Sequence, residues 1–282
     1  MTAITDELAA LRREIDAVDD RLHDMLMQRA QLVQRVQAAK AAGNNLFLRP
    51  GREAQILRRL LRRHQGSLQP LSLARIWREL LTGLYHLQGG ISVAVHGGAN
   101  AIAVWDAARG HFGAATPMVG HDEAQSVLGT VSGSQSTVGV VPPPEEGETD
   151  PWWPHLRGEA PGTPRVVARI PLVGGEDRRG DAYVLAAIPP EPSGEDVTLL
   201  VATVKPDLVS RQRVVDLLAG AGLAGTPLAG AMTGGNQAVL VEVPGFVAPD
   251  DARLSDFARD SIEAGGSVVV IGAYALPAQL AG

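Results

Sequence analysis

Along the first forty residues, Leu8, Leu11, Ile15, Val18, Leu22, Met25, Leu32 and Val36 follow a seam of three- and four-residue steps on which only position 29 is not apolar, with no Gly or Pro before Gly43. The pattern predicts one helix over about 5–42, roughly 57 Å long at 1.5 Å per residue. A near-heptad seam of that length cannot be covered by two short helices of its own chain, so it predicts packing against a second copy. A second helix is expected over about 50–65, with Pro50 in its first turn. A third is expected over about 70–88, opened by Pro70 or Ser72 and stopped by Gly89-Gly90. Residues 1–90 therefore read as an all-helical, homodimeric unit.

From residue 91 the texture changes. A β-branched run, Ile91–Val95, ends in His96-Gly97-Gly98 and is followed by helical stretches at 99–111 and 121–130. An apolar strand, Thr137–Val141, then runs into Pro142-Pro143-Pro144. Residues 142–164 read as a loop around Trp152-Trp153, Val166–Leu172 and Tyr183–Ile188 as strands, and Pro189–Glu195 as a linker. The remainder alternates as strand 197–204, helix 208–221, strand 226–232, strand 237–243, helix 249–264 and strand 267–273. That βαββαβ order is ferredoxin-like.

With 282 residues the chain has room for two or three domains, expected at 1–90, 91–190 and 195–282. Zero cysteines exclude disulfides and thiolate sites, and the seven histidines lack tight ligand spacing, so a zinc site is not expected. No apolar run approaches a membrane span and the acidic start is unlike a signal peptide, which predicts a cytoplasmic protein without a membrane partner. The net charge of −6 divides unevenly: residues 1–90 carry 14 basic against 9 acidic groups, net +5, and the rest 11 against 22, net −11. A basic half attracts either nucleic acid or a small anion. The run Arg58-Arg59 and Arg62-Arg63 has too few aromatics beside it for base stacking; it reads as a solvated helix face, and nucleic acid is not an expected partner.

The basic residues on the apolar seam are more informative. The 22, 25, 29, 32, 36 steps place Arg29 among core positions, Arg12 lies between Leu8 and Ile15, and Lys40 follows Val36 by four. An isolated charge on a buried face costs several kcal/mol unless it is paired. Either Arg12 and Lys40 snorkel outward while Arg29 pairs with Glu53 or Glu79, or the missing anion is a ligand. Lys40 is one of only two lysines among 25 basic residues, the other being Lys205.

Together, Leu11-Arg12-Arg13-Glu14-Ile15-Asp16, Arg29, Lys40, Arg49-Pro50-Gly51-Arg52-Glu53 and the helix Ile76-Trp77-Arg78-Glu79-Leu80 ending in Gln88 resemble the all-helical class of chorismate mutases over residues 1–90. The resemblance implies a three-helix dimerisation domain whose sites bind chorismate, a dicarboxylate, and rearrange it to prephenate for phenylalanine and tyrosine synthesis, a pericyclic reaction with no metal and no cofactor. It implies that Arg29 and, from the other subunit, Arg12 hold the carboxylates. Lys40 and Gln88 would donate to the ether oxygen, Arg52 would support the site and Glu53 would accept from the ring hydroxyl. Arg49 and Leu84 stand at substrate-contact positions where the family often has an acid and a serine.

The rest more faintly resembles the remainder of bifunctional chorismate mutase/prephenate dehydratases. Val93-Ala94-Val95-His96-Gly97-Gly98 stands at their Gly-rich first turn and Gly139-Val140-Val141-Pro142 at the strand ending in Val-Pro-Ile-Glu-Asn. Ile271-Gly272-Ala273-Tyr274 falls at the close of an ACT regulatory domain. Pro143-Pro144-Glu145 replaces Ile-Glu-Asn and Asp181-Ala182-Tyr183 replaces Thr-Arg-Phe, so an α/β dehydratase-like remnant without dehydratase activity is expected, followed by an α+β ferredoxin-like, ACT-like domain. Two other functions fit the same residues less well: a pyruvate lyase acting on isochorismate, and a non-catalytic regulatory partner of an aromatic-pathway enzyme.

Overall fold

The computed structural model describes residues 2–39, 48–87, 89–134, 136–174 and 178–279. It divides into two units, Met1–Phe47 and Leu48–Gly282. The described residues of the first form one helix, α1 (Thr2–Ala39), as the 3/4 spacing predicts. Its seam residues stand exposed, from 44% at Val18 to 65% at Met25. A 38-residue helix with such a seam has the sequence of a coiled-coil or bundle member rather than of a solvated rod.

The second unit opens with α2 (Pro50–Arg62) and α3 (Pro70–His86). Each starts at a proline, Pro50 as expected and Pro70 rather than Ser72; the fixed φ of proline suits the first turn and its missing N–H would have had no helical partner. Next come β1 (Ser92–Val95), α4 (Ala101–Phe112), β2 (Met118–Gly120), α5 (Ala124–Val131) and β3 (Thr137–Val141). After them come β4 (Arg165–Ile170), β5 (Val173–Gly174) and β6 (Ala182–Ala186). The chain closes with β7 (Asp196–Val204), α6 (Arg211–Gly220), β8 (Thr226–Thr233), β9 (Asn236–Pro244), α7 (Ala252–Asp260), β10 (Ser267–Ala275) and β11 (Ala278–Gln279). Ser210 and Asp251 cap α6 and α7 by accepting from the N–H groups of Arg213 and Arg253.

Among the described residues nine strands form one sheet in the order β2-β1-β3-β6-β4-β10-β7-β9-β8. The α/β lobe, from β1 to β6, and the βαββαβ lobe, from β7 to β10, meet where β4 runs parallel to β10 through the Val166–Gly272 pair. Gly272 is required there: a Cβ at this position would lie 2.2 Å from the Val166 carbonyl oxygen. Along β7 the pleat sends Leu199 and Val201 into one core with Trp153, Leu185 and Ile271, and Leu200 and Ala202 into another with Val214, Leu218 and Phe257. β3 and β6 are covered on both faces, which is why they read as continuous apolar runs.

Several features depart from the sequence expectations, the short strands β2, β5 and β11 and the 142–164 segment among them. β2 was not foreseen; it is three residues long, too short for a periodic signal, and exists through its parallel pairing with β1. The 142–164 segment is more than a loop, because a 3-10 turn at Trp153–Arg157 plants Trp152 and Trp153 in the core.

Candidate active site

Of the residues expected to bind and act on an anion, Lys40 and Gln88 lie outside the described residues. Arg12 and Arg29 are both carried by α1. Arg12 is exposed, whereas Arg29 is half-buried and its Nη1 is a buried donor with no hydrogen-bond partner among the described residues. Burial pulls its pKa down from the ordinary arginine value. An arginine with an unspent donor on an apolar seam is a ready receptor for a carboxylate.

The other expected residues belong to α2 and α3. Arg49, the residue before α2, is exposed and ion-paired with Glu191. Arg52 is exposed and reaches Gln55 at 3.4 Å. Leu84 is buried, 8% exposed.

Glu53, in the first turn of α2, is only 4% exposed. Its Oε2 is held by Nη1 of Arg78, itself 5% exposed, while Oε1 is buried without a partner among the described residues. Arg78 spends its remaining reach on one atom: Nε and Nη2 both donate to the carbonyl oxygen of His111, at 2.9 and 2.6 Å. That carbonyl lies in the last turn of α4, where carbonyls lack intrahelical donors and the helix end is negative. A buried ion pair survives when its leftover hydrogen-bonding capacity is satisfied, and here a helix terminus satisfies it. Glu79, the other acid offered to Arg29, accepts from the Ala114 N–H at 3.0 Å, so both acids are engaged within the second unit.

Arg58 corrects an expectation. It does not lie on a solvated face with Arg59, Arg62 and Arg63 but is 5% exposed. Nη1 donates to Ser193 Oγ at 2.9 Å, and Nη2 to the carbonyls of Glu195 and Leu276 at 2.7 and 2.8 Å. The 189–195 stretch it meets is a locked turn rather than a loose linker, since Asp196 collects the N–H groups of Ser193 and Gly194. Arg78 was not singled out from the sequence although the signal of a buried charge was present. Ala74, Arg78, Leu81, Thr82 and Tyr85 share the buried face of α3, the same mark that singled out Arg29.

Burial, then the positive charge of Arg78, hold the His111 imidazole well below its ordinary value of 6.5. The folded chain thus keeps His111 neutral while the unfolded chain takes up a proton near pH 6.5, so this contribution to stability is complete above that pH and lost as the pH falls below it. Replacing His111 by Asn is expected to flatten the loss of unfolding free energy between about pH 7.5 and 5.5, as measured by denaturant titration. An unchanged pH slope would show that His111 does not titrate on unfolding.

The family model described as chorismate mutase type II matches residues 11–89. The chain carries a chorismate mutase type II domain. Among curated proteins, the bifunctional chorismate mutase/prephenate dehydratases of Stutzerimonas stutzeri and Pseudomonas aeruginosa are 33% and 34% identical over 147 and 145 residues. That of Aquifex aeolicus is 30% identical over 141. Each alignment covers 49% of this chain and 39% of the relative, so the chain spans about two-fifths of the length of the relatives it matches. The similarity is longer than the mutase-type domain alone and continues into the rest of the chain. Among solved structures, a prephenate dehydratase from Streptococcus mutans overlays 67% of this chain and all of its own length at 16% identity, with a TM-score of 0.44. A structure titled a quorum-quenching acylase overlays 66% at 18% identity, with a TM-score of 0.46. Among the described residues no helix is long and apolar enough to cross a membrane.

Proposed function

We propose that the chain is a chorismate mutase, converting chorismate to prephenate in the cytoplasm for phenylalanine and tyrosine synthesis. The observation that carries this reading is the family match over 11–89, a stretch that contains Arg12, Arg29, Lys40, Arg52, Glu53 and Gln88. The reaction is pericyclic and needs no nucleophile and no electron carrier. The protein's work is to select the reactive diaxial conformer and to place positive charge where the ether oxygen becomes negative. Arg29 and the other subunit's copy of Arg12 fork the two carboxylates, with Arg49 and Leu84 beside the substrate. Lys40 and Gln88 donate to the ether oxygen, supported by Arg52. Glu53 accepts from the ring hydroxyl with its free Oε1. The exposed seam of α1 supports a homodimer formed through the N-terminal helices.

In this reading residues 1–90 are the catalytic part, 91–190 a dehydratase-like remnant and 195–282 an ACT-like domain. Loss of dehydratase activity is supported by what now stands at the replaced motif. Asp181 is tied to Arg169 at 2.7 Å and to Arg178 at 3.2 Å, and the Tyr183 hydroxyl donates to Glu242 at 2.9 Å. None of these groups is left to protonate a leaving hydroxide.

A site that combines Arg29 of one subunit with Arg12 of the other makes a test available. Arg12→Ala and Arg29→Ala proteins should each be nearly inactive toward chorismate. Unfolding and refolding them together in equal amounts should restore about a quarter of wild-type activity, because half the dimers are mixed and each mixed dimer has one intact site. A mixture no more active than its components would overturn the shared site.

A further inference from the structure

The carboxylate assigned to the ring hydroxyl is buried, and something must aim it. We propose that Arg78 is a positioning residue for Glu53, and that through it the α/β lobe forms part of the mutase site. The proposal rests on the reading of Glu53 as the hydroxyl acceptor.

A carboxylate on a free side chain presents two equivalent oxygens and rotates between them. In this structure the two are made unequal. Arg78 occupies Oε2, leaving Oε1 as the oxygen with spare lone pairs. Arg78 cannot swing to share itself between the oxygens, because Nε and Nη2 are both committed to the His111 carbonyl. Two bonds converging on one acceptor hold the guanidinium in place, and the third donor then holds the carboxylate. Glu53 borders a small pocket together with Pro50, His111, Val167, Ala168 and Arg169, with room for about one water-sized group. The anchoring carbonyl belongs to α4 of the α/β lobe, so the placement of Glu53 depends on a part of the chain outside the three helices. Lysine could supply the charge but not the planar, three-bond geometry.

A purely structural ion pair would stabilise the fold without making the effect of Arg78 on catalysis depend on Glu53. A double-mutant cycle on the full chain separates the two roles, with kcat/KM for chorismate and the melting temperature measured for wild type, Arg78→Met, Arg78→Lys, Glu53→Gln and the two Arg78 variants combined with Glu53→Gln. We expect Arg78→Met and Glu53→Gln each to lower kcat/KM about tenfold or more, and Arg78→Lys to recover part of the loss. In the Glu53→Gln background, either Arg78 substitution should cost nothing further. If Arg78→Met does not fold, Arg78→Lys alone closes the cycle. Losses that multiply, or an Arg78→Lys protein within about twofold of wild type in kcat/KM, would overturn the proposal while leaving the mutase reading intact. A wild-type chain without activity toward chorismate would remove that reading and the proposal with it, so the two failures are distinct.

Discussion

Lys40→Ala is expected to lower kcat/KM for chorismate by on the order of 10²-fold or more. The carbon–oxygen bond of the ether breaks ahead of full bond formation, so negative charge collects on that oxygen chiefly in the transition state. A donor aimed there contributes little to ground-state binding. The loss should therefore fall on kcat, with KM nearly unchanged. The residue type is part of the argument, since Lys40 is the one lysine in a half-chain that otherwise uses arginine. A compact ammonium on a flexible stem suits a single oxygen, whereas a guanidinium fork suits a carboxylate. A Lys40→Ala enzyme within a few-fold of wild type would show that the charge is not where the reaction needs it.

The second large effect is on stability. Arg58→Met should destabilise the second unit by about 3 kcal/mol, a fall of about 6–12 °C in melting temperature for a domain of this size. Methionine preserves much of the apolar stem but strands the carbonyls of Glu195 and Leu276 and the Ser193 hydroxyl, all of which Arg58 now satisfies. Those groups belong to the 193–196 turn and the end of β10, far from α2 in sequence. Calorimetry on wild type and Arg58→Met measures the difference. A melting temperature unchanged to within about 1 °C would show that water replaces the arginine without cost. Arg59→Met and Arg62→Met, at exposed positions, serve as controls.

Much of this architecture was legible in the chain, for reasons that are local. Pro50 and Pro70 mark helix starts, the 3/4 steps of α1 are broken by no Gly or Pro, and the βαββαβ order of the last 88 residues follows from alternating apolar runs and turn residues. The seam anomaly at Arg29 was also legible, and its unpaired buried donor is what that anomaly implies. What escaped is non-local. Arg58 meets Ser193 across 135 positions, Arg78 meets His111 across 33, and β4 meets β10 through a single pair. Nothing in the residues between them announces those partners. Arg58 was misread because an arginine beside other arginines is usually solvated, and only the fold shows that its side chain turns inward while its neighbours do not. Glu53 was singled out by the family resemblance, but its half-occupied carboxylate was not legible, because its partner Arg78 lies on a different helix.

Incubating the purified wild-type chain with chorismate and following prephenate and phenylpyruvate together bears most directly on the mutase reading. It predicts that chorismate disappears with stoichiometric formation of prephenate, and that phenylpyruvate does not rise above the acid-catalysed background. Chorismate left unchanged beside an intact, folded protein would contradict it.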